Sequence, residues 1–70
     1  MLEEKISKMY NEAKTEINTF RVKQEKLKIL IQMLELFKEI KENCFEEKAI
    51  NCINIQIEKV HLLLLEIINE

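Results

Sequence analysis

Seventy residues with neither glycine nor proline, and a formal net charge of −2, leave room for one small domain, residues 1–70. Without the residues that supply positive φ angles and rigid turns, tight hairpins and β-bulges are hard to build. The mixed charge signs give no global pull toward nucleic acid, and the longest apolar run, Leu62 to Leu65, is far below the roughly 20 residues that cross a bilayer.

What remains is rich in Glu, Lys, Leu, Ile and Gln, the mixture of long helices. The first pattern runs Leu2, Ile6, Met9, Ala13, Ile17, Phe20, Gln24, Leu27, Ile31, Leu34. Its steps of three and four make a heptad-like seam with one irregularity at Met9–Ala13–Ile17. The spacing predicts a first helix from about Leu2 to Glu42, on the order of 60 Å long. A further break near Asn18-Thr19, where polar residues cluster, is the alternative. From Leu27 to Ile40 the apolar face widens until little polar side is left, so this stretch demands neighbours on more than one side.

Extending the first seam by sevens lands on Lys38, Lys41 and Lys48, so a helix break is expected near Asn43-Cys44-Phe45. Asn43 suits a left-handed helix end, and Asn43 with Glu46 has the spacing of a capping-box-like start. Glu66 and Glu70 carry the wrong sign for the end of the second helix. That helix carries the second seam, Ile50, Ile53, Ile57, Val60, Leu64 and Ile67.

Ile55 and Leu62 lie nearly opposite this seam at 100° per residue, with Leu65 to one flank. They predict a second apolar stripe and hence a partner interface. One helix pair cannot bury both sides of both helices. The expected architecture is therefore all-α, a long helical hairpin assembling as a four-helix-bundle homodimer. Self-association is expected through Leu27, Ile31, Leu34, Phe37, Ile53, Ile57, Val60 and Leu64. A three-helix bundle whose third helix covers the spare stripe is the alternative.

Chemistry finds little footing. Cys44, Cys52 and His61 are too widely spaced for a structural zinc site, and no metal or cofactor is expected. Glu58-Lys59-Val60-His61 has the Glu-x-x-His spacing of di-iron bundles, but as a single copy beside an apolar seam. No serine or cysteine stands in a nucleophile constellation with the one histidine, and a phosphate loop needs glycine. The chain is read as no enzyme. Its charged start, Met1-Leu2-Glu3-Glu4-Lys5, is unlike a signal peptide, so a cytoplasmic protein with reduced thiols is expected.

The alternative function is nucleic-acid binding. Lys14, Arg21 and Lys28 fall at heptad intervals, which would align them as a basic face on a continuous first helix. Dimeric helical hairpins of the Rop type bind RNA, and the likeness is one of architecture. Interleaved Glu12, Glu16 and Glu25 weaken the field. The expected function is thus self-association and protein–protein binding, as an adaptor, inhibitor or regulator, without a membrane role.

Overall fold

Each apolar stripe becomes a helix, but the first divides in two. In the computed structural model, which describes residues 2–70, α1 spans Leu2–Ile17, α2 Lys23–Glu42 and α3 Glu47–Ile68. Each packs on both of the others. Leu2 shares a cleft with Ile40 and Phe45, and Lys23 reaches Ile68, so α2 runs antiparallel to both neighbours. Ser7 meets Gln56 and Glu3 meets Cys52, so α1 and α3 run the same way.

The continuous first helix is not formed, and the three-helix alternative is the one found. The longest dimension of the molecule is 37 Å, well short of the roughly 60 Å such a helix needs. At the end of α1 the backbone N–H of Thr19 donates to the Glu16 carbonyl at 3.0 Å, and its hydroxyl donates to the same oxygen at 2.6 Å. Phe20 N–H reaches the Ile17 carbonyl at 3.2 Å. Local bonds of this kind offer the chain a stop where propensity alone imposes none. Burial then favours the fold-back: Ile6, Tyr10, Ala13 and Ile17 are enclosed by the other helices, where a straight extension would leave them in water.

The second break falls where the seams lose register, between Glu42 and Glu47. Its chemistry differs from the expected caps. Asn43 sits at φ −102°, ψ 10°, outside the left-handed region. Its side-chain amide donates to the Glu39 carbonyl at 2.9 Å, so Asn43 closes α2 and is not available to cap α3. The residue preceding α3 is Glu46, which makes no side-chain cap.

The core is Ile6, Ile17, Leu30, Phe37, Ile53 and Val60, ringed by half-buried Met9, Leu27, Met33, Leu34, Ile57 and Leu64. The wide face of α2 now has its explanation. With α1 on one side and α3 on the other, its apolar residues spread over two interfaces, although Ile31 and Leu36 still face out.

Candidate interaction surfaces

α3 presents its Ile53, Val60 and Ile67 side to the other helices, and the 100° step then carries Ile55 and Leu62 outward. Ile55 is 52%, Leu62 58% and Leu65 55% exposed. The helix that the break after Ile17 adds, α1, therefore does not cover the spare stripe. Instead α3 packs through its regular seam and leaves the stripe in solvent. Asn51, Glu58 and Glu66, all exposed, interleave it.

The residues expected to join one copy to another are placed differently. Phe37, Ile53 and Val60 are fully enclosed by the chain's own helices. Leu27, Leu34, Ile57 and Leu64 are half-buried against the same core, and Ile31 alone of the eight is exposed. The fold-back of α1 is the reason: it supplies from within the chain the cover that a second hairpin was expected to provide.

The basic residues are not brought onto one helix face. Arg21 lies in the connection between α1 and α2. Lys14 lines a crevice with Tyr10 and Lys59, and Lys28 lines another with Phe20 and Glu25. The seven-residue interval from Arg21 to Lys28 aligned them only on an unbroken helix.

A polar thread runs between α1 and α3. Gln56, 4% exposed, donates from Nε2 to Ser7 Oγ at 3.4 Å. Ser7 Oγ lies 3.8 Å from Cys52 Sγ, which donates to the Glu3 carbonyl at 3.7 Å. Among the described residues the Gln56 Oε1 has no hydrogen-bond partner. Lys59 Nζ stands 5.6 Å from the centre of the Tyr10 ring, a cation–π contact across the same interface. His61 and Glu58 face solvent, and no three metal-ligating side chains gather among the described residues.

One surface was not visible in the seams. At the pole where α1 begins and α2 gives way to α3, Phe45 is 94% exposed. It lines an open cleft together with Leu2, Leu36, Glu39, Ile40, Cys44 and Glu46. The signal was present in the sequence as an aromatic residue in a predicted break, outside either seam.

Among the described residues no helix is long and apolar enough to cross a membrane. No protein-family model, curated protein or solved structure matches this chain, so the functional reading rests on its surfaces.

Proposed function

We propose that this chain is a non-enzymatic helical module that acts by binding other protein surfaces, a second copy of itself included, through the outer face of α3. One observation carries the reading: Ile55, Leu62 and Leu65 remain more than half exposed after all three helices have packed. They follow one another over about 15 Å of helix. Aligned apolar side chains of this kind form the middle of an interface rather than scattered surface residues. A symmetric dimer of three-helix units would bury the stripe against its own copy, in the isologous arrangement that most homodimers adopt. The free thiols of Cys44 and Cys52 suit the cytoplasm.

Sedimentation equilibrium tests the proposal. Wild-type protein is expected to run near twice its 8.4 kDa chain mass. Ile55→Glu with Leu62→Glu is expected to return it to one chain with helical circular dichroism intact. Both positions are exposed, so the substitutions leave the core untouched. A wild-type protein that stays at the single-chain mass to millimolar concentration defeats the self-association half. A folded double variant that keeps every partner of the wild type defeats the rest.

A further inference from the structure

We infer that the Phe45 pole is a second docking site, separate from the α3 stripe, and that its occupant is a basic amphipathic helix of another protein. The inference rests on the binding role proposed above but uses none of the same residues.

The connection that carries Phe45 is hydrogen-bonded on both sides. Asn43 N–H and Cys44 N–H donate to the carbonyls of Ile40 and Lys41, each at 3.2 Å, and Asn43 Nδ2 donates to Glu39 O. On the other side the Ile50 N–H donates to Glu46 O at 3.0 Å. Phe45 is thus held in water by an anchored backbone. An exposed aromatic on an anchored backbone leaves its side-chain torsions as the main freedom to be lost on binding, which suits an interface anchor.

The cleft it lines sets apolar Leu2, Leu36 and Ile40 beside acidic Glu39 and Glu46. An adjoining crevice adds Glu3, with Lys48 as the single cation lining the two among the described residues. The charge pattern selects the occupant. A second copy docked pole to pole would bring the Glu39 and Glu46 pair up to the same acidic pair of its partner, and like charges so placed disfavour the contact. A helix with leucine on one face and lysine or arginine on its flanks meets both the apolar and the acidic lining.

The probe is a fluorescent helical peptide of leucine and lysine, about four turns long, followed by anisotropy against the full chain. Wild-type protein is expected to bind it, more weakly as salt rises, and to ignore the leucine–glutamate peptide of the same pattern. Phe45→Ser is expected to weaken binding roughly thirtyfold, as loss of a hot-spot anchor does. Glu39→Lys with Glu46→Lys is expected to abolish it. Ile55→Glu with Leu62→Glu should leave it unchanged, which separates this site from the α3 stripe.

Failure of the wild type to bind the basic peptide overturns the inference, as does equal binding by folded Phe45→Ser. A fall in assembly mass on Phe45→Ser also overturns it, because the occupant is then a second copy. The peptide-binding results do not bear on whether the α3 stripe self-associates, so this inference and that reading fail separately.

Discussion

The Lys23 ammonium donates a 2.8 Å hydrogen bond to the carbonyl of Ile68, joining the first residue of α2 to the last of α3. One turn along α2, Lys26 Nζ lies 3.8 Å from the carboxylate of Glu70. The last turn of α3 has no basic residue of its own. A lysine from another helix therefore supplies the positive charge that a helix C-terminus favours. Lys23→Met is expected to lower stability by about 0.5 kcal/mol, in the usual range for an exposed charge at a helix end. Urea titration at low and high salt checks this, since the loss should shrink as salt screens the charge. An equal loss at both ionic strengths would assign the effect to packing of the lysine stem.

Gln56 gives a prediction of opposite sign. Among the described residues its Oε1 is buried without a hydrogen-bond partner, while its Nε2 makes the long contact to Ser7. A buried acceptor left unpaired costs about 1–3 kcal/mol. Methionine has nearly the same shape and no such acceptor, and Ser7 keeps Cys52 as a neighbour. Gln56→Met is expected to raise the urea midpoint, with a gain of about 1 kcal/mol. A fall in the midpoint would mean that Oε1 has a partner in solution, such as an ordered water.

Phe37 and Ile31 share a helix and were both expected at a self-association surface, yet the fold separates them. Phe37 is fully buried and Ile31 about half exposed. Phe37→Ala is expected to cost about 3–5 kcal/mol. For 70 residues the whole stability is about 4–10 kcal/mol, so the variant should lose from about a third to nearly all of it. Ile31→Ala should cost about 0.5 kcal/mol or less. Circular dichroism and urea titration of the two variants decide the matter. Comparable losses would mean that the core of the folded chain is not the one built around Phe37.

Much of this fold was legible in residue spacing. The inward seam Ile53, Val60, Ile67 follows directly from three-four alternation. The break before Glu47 follows from the lysines that a continued seam would bury. Exposure of Ile55, Leu62 and Leu65 likewise follows from their angle to that seam. The break after Ile17 was harder to place, because Asn18 and Thr19 stop a helix only weakly by themselves. What fixes it is the tertiary burial of Ile6, Tyr10 and Ile17, a non-local effect. Tyr10 lay off the first seam for the same reason: the seam was drawn for one straight helix, and α1 turns a slightly different face inward once it packs against both neighbours. At the end of α3 the acidic residues looked unfavourable, and spacing gave no hint that Lys23 and Lys26 would arrive from another helix. Phe45 belonged to no periodic pattern, so its role as the most exposed large apolar side chain needed the geometry of the connection around it.

Val22 turns the question of the first break into a measurement. It precedes α2 with extended backbone, φ −94° and ψ 122°, and offers no side-chain cap. The N–H groups of Glu25 and Lys26 both turn to its carbonyl, and its own side chain is exposed. An aspartate at this position accepts a hydrogen bond from the free N–H groups of the first turn and places negative charge at the helix N-terminus. In the three-helix fold Val22→Asp is therefore expected to stabilise the protein by about 1 kcal/mol. In one helix running through from Leu2 to Glu42, position 22 would be interior, with no free N–H to cap, and aspartate is a poor interior residue. The same substitution would then destabilise. Thermal and urea unfolding of the single variant give the sign, and a loss of stability would restore the long first helix together with the hairpin dimer it implies.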